Sequence, residues 1–277
     1  MNACGTLGCV SADGPPGAFD LRGAVALVTG AGSPCGIGYA AARLLGQCGA
    51  AVVVCATTDR VRQRVDDLTT EGIQASGAIG DLTDPEQTAR IVAHAASGWG
   101  RLDIVVNNAG MVTVGDGDYL QGDLAATEPA RWRASLERNL DTAYLVSRAA
   151  LPHLRESGRG RIINVASVTG AVMAMRGEVA YAAAKAGMTG LTRAIAVDEA
   201  RHGITCNAVA PGWIETGSQT GSEVREGVTV PVGRSGTAAE VASAIAWLAS
   251  PGAAYVTGQV IVVDGGNSVV EERALPV

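Results

Sequence analysis

Short apolar runs alternate along the chain with longer segments of mixed polarity. An apolar run of about four to eight residues that stops at a glycine or a polar residue is typical of a strand buried on both faces of a parallel sheet. Seven runs fit this description, at 24–29, 51–56, 73–80, 102–107, 161–166, 204–209 and 259–264.

Helix signals lie between these runs. Asp84 offers an N-cap before a proline at the first helical position, and Thr237 with Glu240 forms a capping-box pattern. The remaining helices are expected at 36–48, from about 59, from 127 to 151 and at 179–202.

Seven strands that alternate with six helices predict an α/β fold: a single Rossmann-like, doubly wound, seven-stranded parallel sheet flanked by helices. A barrel would need eight strand–helix units, one more than the chain provides. We expect residues 1–19, rich in Gly, Pro and Ala, to be a flexible extension, and residues 20–277 to form one domain with a C-terminal tail.

Composition narrows the class of protein. The formal net charge of −6 argues against a nucleic-acid partner, and no apolar run approaches the ~18 residues of a membrane span. Six scattered cysteines without a CxxC pair and three separated histidines predict no metal site. Reduced thiols fit a cytoplasmic protein.

The first strand leads into "TGAGSPCGIG", residues 29–38. Glycines between a strand and a helix let the backbone approach a pyrophosphate, while the helix N-terminus supplies N–H donors. "NNAG" at 107–110, Ser167 and "PGWIET" at 211–216 follow later strands. Because the carboxyl ends of parallel strands share one edge, these segments are expected to border the same dinucleotide site.

Tyr181 and Lys185 break the bland stretch "AYAAAKAGM", and Lys185 is the only lysine beside 20 arginines. At positions i and i+4 they share a helix face, where an ammonium lowers the pKa of a phenol. Moving that pKa from ~10 to ~7 takes about 4 kcal/mol, which the ammonium and a cationic nicotinamide could supply together. The alternative is a buried tyrosine and a solvated lysine without a catalytic role. Because every other basic residue of the chain is arginine, a lysine at this one position favours a catalytic pair.

These motifs, together with Asn139 in "ERNL", resemble those of short-chain dehydrogenases/reductases over about residues 22–266, most closely 3-oxoacyl-carrier-protein reductases and related carbonyl reductases. The resemblance implies that Tyr181 is the acid/base, Ser167 polarises the substrate oxygen, Lys185 holds the ribose and Asn139 supports a relay water. The cofactor contacts that it implies are Gly30, Ser33, Cys35, Gly36, Ile37, Gly38, Thr57, Thr58, Arg60, Asp81, Leu82, Asn108, Ala109, Gly110, Tyr181, Lys185, Pro211, Gly212, Ile214 and Thr216.

Three departures from the family pattern stand out. Five residues rather than three separate Gly30 from Gly36, so the Pro34–Cys35 tip either contacts the cofactor or bulges. Residues 111–127 form a longer connection than usual, which we expect to border the substrate pocket. The segment before 230–234 is short for a substrate lid.

Cofactor choice depends on the end of the second strand, where NAD-preferring relatives place an acid. Thr57 and Thr58 stand there instead, with Arg60 or Arg62 available for a 2′-phosphate, so NADP(H) is favoured and NAD(H) is the alternative. Thr58 or Asp59 could also merely cap the next helix. Asp81 resembles the family's adenine-contacting acid or serves a turn.

The expected function is hydride transfer between NADP(H) and a carbonyl or secondary alcohol. The alternatives are an NAD-dependent dehydrogenase of a secondary alcohol or cyclic diol, and a non-catalytic dinucleotide sensor. The family implies a homotetramer, and an acyl-carrier-linked substrate could meet the basic residues Arg159, Arg161 and Arg201. No membrane or nucleic-acid partner is expected.

Overall fold

The computed structural model describes residues 17–110, 122–217 and 219–271. The centre of the fold is a parallel sheet. A separate pair of two-residue strands is formed by segments from the C-terminal third of the chain. The strands are β1 (Val25–Val28), β2 (Ala51–Ala56), β3 (Ala75–Ile79), β4 (Ile104–Asn107), β5 (Arg161–Val165), β6 (Thr205–Pro211), β7 (Ile214–Glu215), β8 (Gly236–Thr237) and β9 (Val260–Val263).

The seven-stranded sheet has the order β3-β2-β1-β4-β5-β6-β9 and every neighbouring pair is parallel. This confirms the predicted doubly wound sheet, and its two open edges exclude the barrel. All four residues of both β1 and β4 are buried, as expected for strands covered by helices on both faces. The unpredicted strands β7 and β8 pair only with each other.

Nine α-helices occur in the described parts of the chain. They are α1 (Ile37–Gln47), α2 (Arg60–Thr70), α3 (Pro85–Gly98), α4 (Pro129–Leu136), α5 (Thr142–Ser157), α6 (Val168–Ala171), α7 (Val179–Glu199), α8 (Gly221–Gly227) and α9 (Ala238–Ala249).

Two apolar cores lie on either side of the sheet. Helices α1, α2 and α9 pack on one face, and α3, α5 and α7 pack on the other. The predicted caps are present: the Asp84 carboxylate accepts the Glu86 N–H at 2.8 Å, and Thr237 forms a capping box with Glu240. No described helix is both long enough and apolar enough to cross a bilayer.

The helix expected from 127 to 151 is the main correction to the predicted elements. It consists of α4 and α5 joined by a π-helical segment, Glu137–Asp141, and it continues to Ser157. A π segment widens one turn of a helix and is common at functional sites. Here it places Asn139, which is fully buried. Hydrophobic periodicity does not reveal such a local insertion.

The order of the strands decides where a ligand can bind. β1 lies between β2 and β4. The strands β2 and β3 extend the sheet to one side of β1, and the strands from β4 onward extend it to the other side. Loops on either side of this switch point diverge and leave a crevice at the carboxyl ends of the strands. Of the expected extension 1–19, only residues 17–19 lie within the described part of the chain.

Candidate active site

Hydrogen bonds join the segment that follows β4 to the glycine loop that follows β1. The Thr29 hydroxyl accepts the backbone N–H groups of Asn108 and Ala109, both at 2.9 Å, and the Asn108 side-chain amide donates to the carbonyls of Thr29 and Gly30 at 2.9 and 3.1 Å. Gly30 has a φ of +66°, and a Cβ there would lie 2.8 Å from the Ala109 Cα. The two loops therefore fit together only with glycine at this position.

Helix α1 begins at the same place. A Cβ on Gly38 would lie 2.5 Å from the Asn108 amide nitrogen and 2.9 Å from the Gly30 oxygen. The N-cap is Gly36, which has no side chain to cap the helix. The N–H groups and the positive dipole end of α1 are thus left for an anion such as a pyrophosphate.

A cleft of about 990 Å³ runs along the carboxyl edge of the sheet. This lies at the upper end of the ~300–1,000 Å³ found for small-molecule and cofactor sites. The residues predicted from the sequence that line it are Gly30, Ser33, Gly36, Ile37, Thr57, Arg60, Asp81, Leu82, Asn108, Ala109, Gly110, Ser167, Tyr181, Lys185, Pro211, Gly212, Ile214 and Thr216.

Four predicted site residues do not line the cleft. Cys35 is exposed at the tip of the glycine loop, so the two extra residues bulge outward rather than toward the cleft. Gly38 is buried beneath the loop, and Thr58 instead accepts a hydrogen bond from the Arg60 Nε at 3.2 Å. Asn139 lies behind the cleft wall.

Ser167, Tyr181 and Lys185 converge in the middle of the cleft. Ser167 follows β5 and caps α6, where its oxygen accepts the Thr169 N–H at 3.1 Å, and its hydroxyl is close enough to the Tyr181 phenol to lower the pKa of that group. Tyr181 and Lys185 lie on one face of α7, with the Lys185 Nζ 5.7 Å from the centre of the phenol ring. Only 4% of Lys185 is exposed, and its Nζ donates to the Val165 carbonyl at 2.9 Å.

Burial dominates the ionisation of this pair in the protein alone. It raises the pKa of Tyr181 to about 12, with smaller contributions in the same direction from the Glu178 and Glu223 charges and an opposing one from the Ser167 hydrogen bond. Burial also lowers the pKa of Lys185 to about 8. In the protein alone, burial therefore sets the phenol pKa, and the value near 7 expected from the sequence also requires the charge of a cationic nicotinamide.

Asn139 approaches Lys185 across Gly110. A Cβ added to Gly110 would lie 2.8 Å from the Asn139 Oδ1 and 3.5 Å from the Lys185 Nζ. The Asn139 amide nitrogen donates to the Ser135 carbonyl at 3.1 Å, which fixes the side chain within the π segment. Gly110 thus keeps open a small polar space bordered by an amide and an ammonium.

The far end of the cleft lies at the carboxyl end of β2. Thr57 and Arg60 line it, whereas Asp59 does not. The Asp59 carboxylate lies 3.7 Å from the Arg62 guanidinium on the exposed surface, and it makes no side-chain capping bond to α2. Asp81 lines the cleft and also accepts the Thr83 N–H at 2.9 Å, so it serves a turn as well as the site.

Sequence reasoning missed several residues that line the substrate end of the cleft. Thr220 and Glu223 form a capping box for α8, a pattern readable as T-x-x-E in the sequence. No local motif marks the others, because they come from the π segment, the N-cap of α7 and two loops that only folding brings together. These are Arg138, Met175, Glu178 and Trp213.

The arginines expected to meet an acyl carrier do not line the cleft. Arg161 begins β5, at the opposite edge of the sheet from the cleft, and is 7% exposed. Its guanidinium donates to the Arg159 and Gly160 carbonyls at 3.1 and 3.0 Å, while Arg159 pairs with Asp103 at 3.1 Å. Arg161 therefore supports the strand start rather than a surface for an acidic protein. Arg159 and Arg201 are both exposed, and of these two only Arg159 forms an ion pair among the described residues. The loop expected to border the substrate, 111–127, falls mostly outside the described residues.

An open α/β sheet with a glycine loop, a serine and a Tyr-x-x-x-Lys pair at one crevice defines a nicotinamide-dinucleotide oxidoreductase. Residues 30–268 match the family model described as enoyl-(acyl carrier protein) reductase, a model of the short-chain dehydrogenases/reductases. The chain belongs to the short-chain dehydrogenase/reductase family, whose members bind a nicotinamide dinucleotide.

Relatives of known name cover nearly the whole chain. The 3-oxoacyl-[acyl-carrier-protein] reductase FabG of Vibrio cholerae is 41% identical over 256 residues, which is 91% of this chain and 100% of the relative. The cis-4-hydroxycyclohexanecarboxylate dehydrogenase of Sinomonas cyclohexanicum is 40% identical over 250 residues, 89% of this chain and 97% of the relative.

Solved structures agree with this placement. A proposed NAD(P)-dependent gluconate 5-dehydrogenase from Beutenbergia cavernae, with NADP bound at low occupancy, superposes with a TM-score of 0.82 at 36% identity. The match covers 90% of this chain and 98% of that one. The chain is therefore an oxidoreductase of the type that interconverts alcohols and ketones.

Proposed function

We propose that this protein is an NADP(H)-dependent oxidoreductase that interconverts a ketone and a secondary alcohol, with Tyr181 as the acid/base. The observation that carries the proposal is the meeting of Ser167, Tyr181 and Lys185 in a cleft whose other end holds the glycine loop and Arg60. A bound nicotinamide dinucleotide supplies the hydride of this reaction.

The three side chains have distinct tasks in the direction of reduction. With a pKa raised to about 12, Tyr181 is a neutral phenol at neutral pH and can donate its proton to the substrate oxygen. The Ser167 hydroxyl, which lies beside the phenol at the same point of the cleft, orients that oxygen. Lys185, whose pKa of about 8 leaves it mostly protonated at pH 7, stabilises the phenolate that forms.

Asn139 is proposed to support the return of the proton to Tyr181. Its Oδ1 and the Lys185 Nζ both border the space at Gly110. A water held there would accept hydrogen bonds from the ammonium and donate to the amide oxygen, which fits a relay toward solvent.

Preference for NADP(H) is supported by the end of β2. Thr57 and Arg60 line the cleft there, and the acid Asp59 is turned toward Arg62 at the surface. A guanidinium binds a 2′-phosphate through charge-assisted hydrogen bonds. The Beutenbergia cavernae neighbour was solved with NADP.

The second candidate is an NAD-dependent dehydrogenase of a secondary alcohol or cyclic diol. The relative named cis-4-hydroxycyclohexanecarboxylate dehydrogenase, 40% identical, favours it. A non-catalytic sensor is disfavoured because all four residues expected to act in catalysis are present, and any turnover would exclude it. An acyl-carrier-linked substrate, as the FabG name implies for that relative, is the alternative to a free substrate. A cytoplasmic location is a further proposal.

Steady-state kcat/KM with NADPH and NADH over a panel of ketones and alcohols tests the cofactor proposal. We expect NADPH to be preferred and Thr57→Asp to shift preference toward NADH, because the new carboxylate accepts from ribose hydroxyls and repels a phosphate. Asp59→Asn is the matched control and should leave the ratio unchanged, since Asp59 does not line the cleft. A tenfold preference of the wild type for NADH, about 1.4 kcal/mol, would contradict the proposal.

A further inference from the structure

A small cavity of about 70 Å³ adjoins the substrate end of the cleft. It lies between α4 and the start of α7 and shares Arg138, Glu178 and Tyr181 with the large cleft. A group bound in it would therefore lie within a few bonds of a carbonyl held at Tyr181. Its size suits a single small substituent rather than a chain or ring.

Two arginines from one helix face line this cavity. Arg131 in α4 and Arg138 in the π segment are seven residues apart, about two helical turns, and both are partly buried. The Arg131 guanidinium reaches the floor of the cavity, where a Cβ on Gly122 would lie 3.1 Å from it. Of the arginines in the described parts of the chain, the only other one that lines either cavity is Arg60, at the adenosine end.

Neither guanidinium has an ion pair within the described residues, although many other arginines of this chain do. A partly buried cation loses hydration, and an anionic partner offsets that cost. Guanidinium groups bind carboxylates through paired hydrogen bonds. The two side chains therefore present a site suited to a small anion.

Three glutamates line the large cleft next to the small cavity, and one of them, Glu178, lines the small cavity as well. Their positions limit where an anion can bind. The Glu223 carboxylate accepts the Thr220 N–H at 2.6 Å as part of the α8 cap, and Glu137 is exposed. Glu178 is buried, and its carboxylate forms no ion pair with Arg131 or Arg138. The carboxylate of a ligand would therefore lie on the α4 side of the cavity, away from Glu178.

We propose that Arg131 and Arg138 bind the carboxylate of the substrate, which makes it an oxo acid or hydroxy acid with the carboxylate a few bonds from the reacting carbon. This inference rests on the proposed function and names its substrate class. The phosphate of a carrier's pantetheine arm lies too many bonds from a 3-oxo group to occupy a cavity that contacts Tyr181. The geometry therefore favours a free acid over a carrier thioester.

Matched ketones test the inference. Acetoacetate and 4-oxocyclohexanecarboxylate are each compared with the corresponding primary amide, which has nearly the same shape without the charge, and acetoacetate also with acetoacetyl-coenzyme A. We expect kcat/KM to favour each acid over its amide by at least ~10-fold, as a charge-assisted pair is stronger than a neutral one. Arg138→Gln and Arg131→Gln should remove this preference, mainly by raising KM for the acid more than KM for the amide.

Arg133→Gln is the control, because Arg133 is exposed on the same helix and lines neither cavity. Equal kcat/KM for acid and amide in the wild type, or a preference for the thioester over acetoacetate, would overturn the inference. If no ketone is turned over, the proposed function fails, and calorimetry then decides the anion site alone. Acid binding that is lost in Arg138→Gln supports the site, and absence of acid binding to the wild type overturns it.

Discussion

At the scale of single residues, Lys185 shows why one position in this chain avoids arginine. Its Nζ is buried, donates to the Val165 carbonyl and lies near the space that Gly110 keeps open. A compact ammonium fits this position, whereas a planar guanidinium is larger and stays protonated throughout the working range. The presence of a single lysine among 20 arginines indicated that this position is special. The structure gives the steric reason, because the space around the ammonium is small.

Replacement of Lys185 by arginine tests that reason. Lys185→Arg should keep the fold but lose at least ~10²-fold in kcat, because the guanidinium crowds the cleft and moves the charge away from the phenol. Tyr181→Phe should lose as much or more, and the double variant should be little worse than the worse single one. Steady-state kcat with circular dichroism as a folding control measures this. Near-normal turnover of a folded Lys185→Arg would show that the lysine is only a charge.

The buried ammonium also predicts a pH dependence of stability. The folded-state pKa of Lys185 is lowered to about 8 from the ordinary 10.5. Between these values the unfolded chain binds more protons than the folded one, so the free energy of unfolding contributed by this group rises with pH. We expect wild-type protein without cofactor to gain stability relative to Lys185→Met from pH 8 to pH 10, measured by urea denaturation.

The comparison with Lys185→Met cancels other titrating groups. Tyr181, Cys55 and Cys206 all have pKa values raised by burial, and they lower stability at alkaline pH in both proteins. A wild-type curve that runs parallel to that of Lys185→Met from pH 8 to pH 10 would contradict the burial of a protonatable lysine.

At the scale of elements, local sequence patterns predicted most of the strands and helices. The apolar runs located all seven strands of the main sheet within about two residues. The clearest are β1 and β2, which are almost entirely buried and contain no polar residue. The patterns failed at the π segment, at α8 and at the β7–β8 pair. These elements are short, so no sustained hydrophobic pattern marks them in the sequence.

The turn between β1 and α1 is the element on which the cofactor site depends. Gly38→Ala should place a methyl group 2.5 Å from the Asn108 amide nitrogen and displace the loop. We expect a loss of about 1–3 kcal/mol in the free energy of unfolding and weaker NADPH binding, measured by denaturation and fluorescence titration. Gly190→Ala in α7 is the control, since a Cβ there meets nothing within 4 Å and should stabilise the helix by up to ~1 kcal/mol. Equal behaviour of the two variants would contradict close loop packing.

At the scale of the whole molecule, we predict a homotetramer built on two-fold interfaces, in keeping with the family resemblance. The outer faces of α5 and α7 expose Tyr144 at 46% and Val197 at 79%, and association would cover such apolar groups. Light scattering at micromolar concentration should give four times the chain mass of 28.0 kDa. A species of one chain mass alone would contradict the prediction.

The sequence by itself determined the class of fold, the order of the strands in the chain and the identities of the catalytic candidates. Apolar periodicity, glycine placement and the spacing of Tyr181 and Lys185 are local properties, and local properties are visible in one dimension. The family motifs likewise indicated which segments would border the dinucleotide.

Only the tertiary structure decided which residues share the substrate end of the cleft. Arg131, Arg138 and Glu178 come from segments about 40 residues apart, and their meeting depends on how α4 and the π segment pack against α7. The structure also turned Asp59 and the Cys35 tip away from the cleft, and it placed Arg161 at the opposite edge of the sheet. The direction and burial of a side chain follow from the packing of distant elements, so spacing along the chain does not determine them.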